Sequence, residues 1–395
     1  MNKEKLLLLI LAAIQFTHIV DFMIIMPLGA QLMTLFDITP RQFSWIVAVY
    51  ALSAFVAGLV STMFIDRLDR KKAILMAYIG FTVGTLACSV AYSFEIFLVA
   101  RSVAGAFGGI LGALVLAVVG DVIPYERRSS AMGWVMTAFS VASVIGVPAG
   151  IYLAAKFSWQ MPFLVIGGIA LLFTGIIFFV FPSLTGHLES KTDRPSPWQT
   201  IRQIFSNSNQ TGALLFSVIL MLGHFSIIPF IAPYMQLNIG FDDFQVAYIY
   251  TIGGILTVFF LPYFGRLSDR FGNALVFSIA SFFALFSIFA ITNLPPVSLI
   301  IALCATSSFF VVASGRNVPA MTMVTSVVHP RNRGSFMSMR ASVNEMALAL
   351  GSFMAGMIVT ENPDGTLANY QYVGYIAIVM SILAVLVAWR LRPVG

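Results

Sequence analysis

Charged side chains are scarce in this chain. Only 10% of its 395 residues are Asp, Glu, Lys or Arg, whereas 59% are hydrophobic. A soluble globular domain carries about 25% charged residues, so the composition excludes a protein that has water as its main solvent. It predicts instead a membrane protein whose unit is the apolar helix of about 20 residues that crosses a bilayer.

Cysteine and histidine are also rare. The two cysteines, Cys88 and Cys304, lie in separate apolar runs, and there are four histidines. They offer neither a disulfide framework nor the spacing of a metal site. The chain has no glycine-rich phosphate-binding loop, which excludes an ATP-driven pump. It has no nucleophile–base set outside the apolar runs, so we expect no enzyme, no metal and no cofactor, with protons as the coupling ion.

Long apolar runs are abundant, by contrast. A polar stretch after the sixth run contains WQTIRQIF, which we expect to form a helix on the membrane surface. The predicted fold is an all-α polytopic membrane protein with two six-helix bundles, 1–182 and 209–395, joined by a linker at 183–208. Twelve runs are each long enough to span a bilayer, approximately 6–33, 44–65, 72–92, 94–119, 129–155, 160–182, 209–236, 244–264, 274–292, 297–321, 334–359 and 370–391.

Lysine and arginine are distributed unevenly between the connections. Most of the 22 lie on the side of the N-terminus, Arg41 and Lys156 lie opposite, and Arg101, Arg316 and Arg340 fall inside runs. The positive-inside rule then places both termini in the cytoplasm. The net charge of +6 is a topology signal rather than a nucleic-acid footprint. We expect a monomeric multi-pass protein of the plasma membrane (the inner membrane, if bacterial) whose partners are the bilayer and a small-molecule substrate.

The two halves of the chain resemble each other. Short motifs of the first half recur in the second at one constant spacing, and His18 in the first run is matched by His224 in the seventh. Parallel six-helix repeats are typical of alternating-access carriers, which bind substrate near the bilayer midplane between the halves. A helical channel or a receptor does not need this duplication. The recurring loop motif matches Pro124, Arg127 and Ser129 with Pro330, Arg333 and Ser335.

The cytoplasmic loops resemble the signature of the major facilitator superfamily, Gly-x-x-x-Asp-Arg-x-Gly-Arg-Arg/Lys. The first copy keeps Asp66, Arg67 and Arg70, but Asp69 stands in place of the second glycine. The resemblance implies that Arg70 pairs with Asp121 and that the signature aspartate faces a helix N-terminus, where negative charge is favoured. It thereby implies a conformational latch that consists of Asp66, Arg67, Arg70 and Asp121, with Asp269 and Arg270 in the second copy.

Other motifs point to one branch of that family. RSVAGAFGG resembles the Arg-x-x-Gln-Gly motif of the fourth helix, with Ala104 in place of glutamine, and GVPAG resembles the Gly/Pro motif of the antiporters. The whole chain is similar to the drug and sugar efflux carriers. Small residues in these motifs allow helices to pack closely, and the candidates for this role are Gly105, Gly146, Pro148, Gly150 and Gly356.

Ionisable side chains inside the spans are the candidates for function. A charge at membrane depth costs about 2.5–3.5 kcal/mol on insertion scales, so it pairs, titrates or faces a cavity. Asp21, His18 and Gln15 recur every three residues and so share one face of the first helix. The resemblance places helices one, four, seven and ten around the central cavity. The candidate cavity residues are Gln15, His18, Asp21, His224, Arg316, Asn317 and Glu345.

Proton coupling needs a carboxylate whose surroundings change during transport. Asp21 and Glu345 are the only midspan acids, and with His18 and Arg101 they are the candidates for coupling. Two alternatives remain open. Asp21 is either a coupling residue or the permanent partner of an arginine, and Glu345 is either a coupling residue or is neutralised by Arg316 or Arg340.

The sequence therefore predicts a secondary active transporter. We expect a proton-coupled antiporter that exports a small amphipathic or cationic compound. A proton-coupled sugar or metabolite carrier is the alternative, in which Gln15, His18 and Asn317 bind a hydroxylated solute and Arg316 binds an anionic one. A transport-inactive sensor or scaffold is the alternative of another class.

Overall fold

The twelve predicted apolar runs correspond to helices. The structure is a computed structural model that describes residues 3–61, 68–185, 197–329 and 333–394. Within these ranges twelve helical segments are long and apolar enough to cross a membrane. The predicted class, an all-α polytopic protein with twelve spans, is confirmed.

The helices follow one another with short connections. The first half comprises α1 (Lys3–Met23), α2 (Gly29–Phe36), α3 (Pro40–Ser61), α4 (Arg70–Ser89), α5 (Phe94–Val122), α6 (Tyr125–Val141), a π-helical turn (Ala142–Gly146), α7 (Val147–Lys156) and α8 (Met161–Val180). The second comprises α9 (Pro197–Ser206), α10 (Ser208–Leu237), α11 (Asp243–Phe271), α12 (Asn273–Thr292), α13 (Leu299–Ser326), α14 (Arg333–Ile358), the strands β1 (Thr360–Glu361) and β2 (Leu367–Ala368), and α15 (Tyr370–Ala388). The helix α6, the π-turn and α7 together form one span.

The chain divides into two compact units. Unit 1 contains Met1–Ile25 and Val49–Arg194, and unit 2 contains Met26–Ala48 and Pro195–Gly395. In unit 1, α4 packs on α5 and α8, and α1 packs on α6. In unit 2, α13 packs on α11 and α12, and α10 packs on α14 and α15. Residues 26–48, which the prediction assigns to the bundle 1–182, belong to unit 2, where α2 contacts α10.

The first predicted span, 6–33, is wrong in its second part. Helix α1 ends at Met23, a turn follows, and α2 is a separate short helix that ends where Asp37 adopts φ 51°. Pro27 lies in the turn; it has no N–H to donate and disfavours helical geometry in the residue before it. The break leaves the last carbonyl groups of α1 without partners inside their own helix, which matters for the site below.

The second signature loop is also shorter than predicted. Residues 265–271 form the last two turns of α11 rather than a loop, and α12 starts at Asn273. Gly272 alone separates the two helices, with φ 87°. Residues other than glycine rarely adopt this positive φ, so glycine suits the position. The arginines of this motif therefore project from a regular helix.

The GVPAG motif packs on the end of α1. Its Pro148 follows a π-helical turn in which the N–H of Val147 donates to the carbonyl of Ala142, five residues earlier. Such turns accommodate a residue that breaks the regular hydrogen-bond pattern. A Cβ on Gly146 would overlap the side chain of Val20. One on Gly150 would lie 2.9 Å from Cγ1 of Ile24 and overlap its terminal methyl, so both glycines permit close contact.

Candidate functional site

An ion pair lies fully buried inside unit 1. The Nη1 atom of Arg101, on α5, is 2.9 Å from Oδ2 of Asp21, near the end of α1, and neither side chain is exposed. The other carboxylate oxygen, Oδ1, accepts a hydrogen bond of 3.1 Å from the hydroxyl of Thr85 on α4. Three helices therefore meet at one carboxylate.

The break after α1 contributes to this pairing. Nη1 of Arg101 also donates to the backbone carbonyl of Asp21 at 3.1 Å. That carbonyl lies in the last turn of α1, where no amide of the same helix can reach it. The negative end of the helix dipole lies there as well, and it favours a cation. Arg101 thus neutralises the side chain and caps the helix with one nitrogen.

Aromatic rings surround the ion pair. The guanidinium carbon of Arg101 lies 4.2 Å from the ring centroid of Tyr50 on α3, which is a cation–π distance. The ring of His18 stacks on Tyr50 at 6.1 Å and meets the edge of Phe81 at the same distance. The structure thus brings the predicted residues Asp21, His18 and Arg101 into one cluster.

Two glycines of α5 make room for the cluster. A Cβ on Gly108 would lie 2.6 Å from Cδ2 of His18 and 2.7 Å from the hydroxyl oxygen of Tyr50. A Cβ on Gly105 would overlap the backbone carbonyl oxygen of Tyr50 and lie 2.7 Å from its Cα. Real Cβ atoms do not approach other atoms so closely, so Gly105 determines how near α3 comes to α5.

Some polar atoms of the cluster, and one of Gln15 on the same helix as His18 and Asp21, have no hydrogen-bond partner among the described residues. These include Nε and Nη2 of Arg101, Nδ1 of His18 and Oε1 of Gln15. Buried polar groups without a hydrogen bond are costly, and they are the groups that a bound molecule or water would satisfy. Sequence reasoning missed Thr85, Tyr50 and Gly108. The only feature of the sequence that could have pointed to Thr85 and Tyr50 is that each places a polar atom inside an apolar run.

Unit 2 contains a different arrangement. The ring of His224, on α10, stacks on Phe309 of α13 at 5.9 Å with an interplanar angle of 20°. Arg316 is 1% exposed, and its Nη1 donates to the hydroxyl of Ser381 on α15 at 3.0 Å. Its Nε has no acceptor among the described residues. Asn317 follows on α13 and is half-buried.

Glu345 is not neutralised by either arginine that the sequence suggested. No ion pair or hydrogen bond of its carboxylate occurs among the described residues. Arg316 contacts Ser381, and Nε of Arg340 donates to the hydroxyl of Ser217 at 3.1 Å. The suggested neutralisation of Glu345 is therefore absent from this structure, and its role in coupling stays a prediction.

One pair of the predicted latch is present. Nε of Arg70 lies 2.8 Å from Oδ2 of Asp121, which joins the start of α4 to the end of α5. Asp66 and Arg67 lie outside the described residues. Asp269 and Arg270 are exposed on α11 and take part in no ion pair among the residues that are described. The latch as a conformational device stays a prediction.

Asp69, which replaces a signature glycine, begins α4. Its backbone has φ −53°, so the position does not need glycine, and its side chain accepts a hydrogen bond from the N–H of Lys71. The same carboxylate accepts hydrogen bonds from the hydroxyl of Ser183 at 2.6 Å and the N–H of Leu184 at 2.9 Å. Asp69 therefore both caps α4 and holds the segment that follows α8.

Replacing Asp69 with Ala is expected to lower the free energy of unfolding by about 1 kcal/mol, since an N-cap is lost. Partial burial alone would raise the pKa of Asp69, but hydrogen bonds from Ser183, Leu184 and Lys71 hold the pKa below its usual value. Its ionised form thus adds stability above about pH 4, and this gain is lost as the pH falls through the lowered pKa. Thermal unfolding of both proteins at neutral and acidic pH measures the difference, which should shrink in acid. A difference independent of pH would contradict this account.

Twelve spans and an ion pair buried among three of them are features expected of a membrane transporter. The sequence model described as Major Facilitator Superfamily matches residues 11–315 and 213–395. The chain therefore belongs to the Major Facilitator Superfamily. It is a multi-pass membrane transporter and not an enzyme, since the members of this family are transporters.

Relatives and solved structures agree with this assignment. The MFS-type transporter YceJ of Bacillus subtilis (strain 168) is 25% identical over 346 residues, or 86% of this chain and 85% of that protein. Multidrug resistance protein 2 of the same organism is 22% identical over 371 residues, or 91% and 90%. The crystal structure of a bacterial homologue of the human lysosomal transporter Spinster, inward-facing and occupied, has a TM-score of 0.80 and 16% identity, covering 99% of this chain and 97% of that one. At so low a sequence identity, the similarity to this crystal structure shows the fold alone.

Proposed function

We propose that the protein is a proton-coupled antiporter that exports a small amphipathic or cationic compound by alternating access, with both termini in the cytoplasm. The observation that carries the proposal is the buried pair of Asp21 and Arg101. Each partner lies on a different helix, and Asp21 lies within the apolar span Glu4–Met23, where an ionisable group is costly and marks a functional site.

The pair provides a direct way to couple two ligands. A proton on Asp21 removes the charge that holds Arg101, and a cation that approaches Asp21 competes with both the proton and the guanidinium. One carboxylate that accepts either a proton or a cationic substrate gives exchange, because the two cannot occupy it together. The rings of Tyr50, Phe81 and His18 beside it suit an amphipathic cation. The name of the relative Multidrug resistance protein 2 is consistent with this substrate class.

The test uses purified protein in liposomes with an imposed pH gradient and tetraphenylphosphonium as the probe cation. Asp21→Asn is expected to exchange the probe down its own gradient but to lose accumulation driven by the pH gradient. Asp21→Glu, which keeps the carboxylate, should retain part of this accumulation. Glu345→Gln tests the other candidate acid and should keep accumulation if Asp21 alone carries the proton. Normal accumulation by Asp21→Asn would show that this residue does not carry the proton.

A second candidate function is a proton-coupled metabolite carrier. The buried guanidinium of Arg316 favours it, since this group has no carboxylate within ion-pair distance among the described residues. A substrate anion would supply the missing charge. Uptake of anionic rather than cationic probes, lost in Arg316→Gln but kept in Arg340→Gln, would favour this candidate.

A further inference from the structure

An apolar groove opens on the surface of unit 2, away from the buried ion pair. It has a volume of about 530 Å³ and its lining is almost wholly apolar. The lining includes Phe264 and Phe271 of α11, Leu275, Ile279 and Phe283 of α12, and Val312 of α13. Several of these side chains are open to the exterior: Phe271 is 51% exposed and Ile279 is 50% exposed. In a chain that spans a bilayer, such a surface faces lipid.

The groove has the length of an acyl chain segment within one leaflet. From Leu275 to Phe283 the helix α12 rises about 12 Å, and one leaflet of hydrocarbon is about 15 Å deep. Trp389 indicates where the groove lies in the bilayer. Its indole N–H donates to the hydroxyl of Ser278 on α12, beside the groove. Tryptophan is enriched at the level of the headgroups, so the groove starts near the polar boundary and runs inward.

Two arginines of α11 adjoin lining residues in the sequence, since Arg266 precedes Leu267 and Arg270 precedes Phe271. Arg266 and Arg270 are exposed and one helical turn apart on α11, so they share a face. The guanidinium carbon of Arg270 lies 5.1 Å from the ring centroid of Phe271, which lines the groove. Neither arginine forms an ion pair with any residue that the structure describes, although Asp269 lies between them in sequence. Both guanidinium groups are therefore available to an anion.

We propose that this groove is a binding site for one anionic phospholipid, with an acyl chain between α11 and α12 and the headgroup phosphate on Arg266 and Arg270. The apolar lining would contact the acyl chain, and the two arginines would pair with the negative charge of the headgroup. A zwitterionic lipid fills the groove equally well but gains less from two cations. The site rests neither on the proposed substrate nor on proton coupling, although Arg270 is also a candidate for the predicted latch.

Native mass spectrometry of the full-length protein tests the site, with phosphatidylglycerol and phosphatidylcholine of identical acyl chains. We expect one retained phosphatidylglycerol per protein and weaker retention of phosphatidylcholine. A basic residue near an anionic surface contributes about fivefold in affinity, so Arg266→Gln with Arg270→Gln should weaken retention by about 25-fold. Ile279→Trp, which fills the groove, should abolish selective retention without changing charge.

Matched controls separate this site from general lipid contact. Arg390→Gln with Arg392→Gln removes the same charge from the exposed segment that follows α15, and Leu172→Trp adds the same bulk to an exposed position of α8. Neither control should alter retention. Equal losses of phosphatidylglycerol retention in the two double arginine variants would mean that only the overall charge matters. That result would overturn the proposal. Full retention by Ile279→Trp, or no preference of the unmodified protein for phosphatidylglycerol, would overturn it as well.

Discussion

Replacement of Arg101 with Gln is expected to lower the free energy of unfolding by about 3–5 kcal/mol at neutral pH, because the carboxylate of Asp21 stays buried without its counter-charge. The side chains of both residues are wholly inaccessible, so water cannot compensate. The carbonyl at the end of α1 also loses its donor. Thermal unfolding of the purified protein in detergent measures the change.

The double variant isolates the ion pair. Asp21→Asn with Arg101→Gln removes both charges and should be more stable than Arg101→Gln alone, since a neutral buried pair carries no desolvation cost. The exposed pair of Arg127 and Glu4, also 2.9 Å apart, is the matched control, and Arg127→Gln should cost less than about 1 kcal/mol. Equal effects of Arg101→Gln and Arg127→Gln would contradict the importance of burial. A double variant less stable than both single variants would contradict the pairing argument.

The sequence predicts the members of this cluster better than their contacts. Asp21 and Arg101 stand out because each is a charge inside an apolar run, and the spacing of His18 puts it on the face of Asp21. Their pairing joins residues 80 positions apart, and helical periodicity relates only residues of the same helix. The sequence therefore left the partner of Asp21 open, and helix packing decides it.

Tyr50 and Thr85 illustrate a different limit. Both are common residues in apolar runs, and a threonine hydroxyl there usually bonds to its own helix backbone, as Thr82 does with the carbonyl of Tyr78. Nothing in the spacing of Thr85 distinguishes it from Thr82, yet Thr85 reaches the carboxylate of Asp21. Their roles depend on which neighbouring helix each side chain faces.

The fold could be predicted from the sequence wherever the length of an apolar run determines a membrane-spanning helix. Twelve spans follow from composition, because only a helix satisfies its own backbone groups in lipid. The errors occur where backbone geometry overrides hydropathy. Residues 24–28 are apolar but form a turn at Pro27, and residues 265–271 contain four polar or charged side chains but continue α11. The first of these errors matters most, since the end of α1 provides a carbonyl for Arg101.

Gly105→Ala is expected to destabilise the protein by about 1–3 kcal/mol, as overpacking in a close-packed interior does, and to reduce transport. The added methyl group would overlap the backbone carbonyl of Tyr50, so α3 must move away from α5. Because Tyr50 moves with α3, its ring would move away from Arg101. In this structure the guanidinium carbon lies 4.2 Å from the ring centroid. Helix propensity works in the opposite direction, since Ala is favoured over Gly by up to about 1 kcal/mol inside a helix.

Gly112→Ala on the same helix supplies the control. A Cβ at Gly112 meets no atom within 4 Å, so only the gain in helix propensity remains, and the protein should be equally stable or slightly more stable. The two substitutions thus add the same methyl group to α5 with opposite expected signs. Thermal unfolding and transport of the probe cation measure both. Equal effects would mean that the contact between α3 and α5 yields easily; opposite effects would establish that Gly105, by the distance it sets between these helices, keeps Tyr50 over the ion pair.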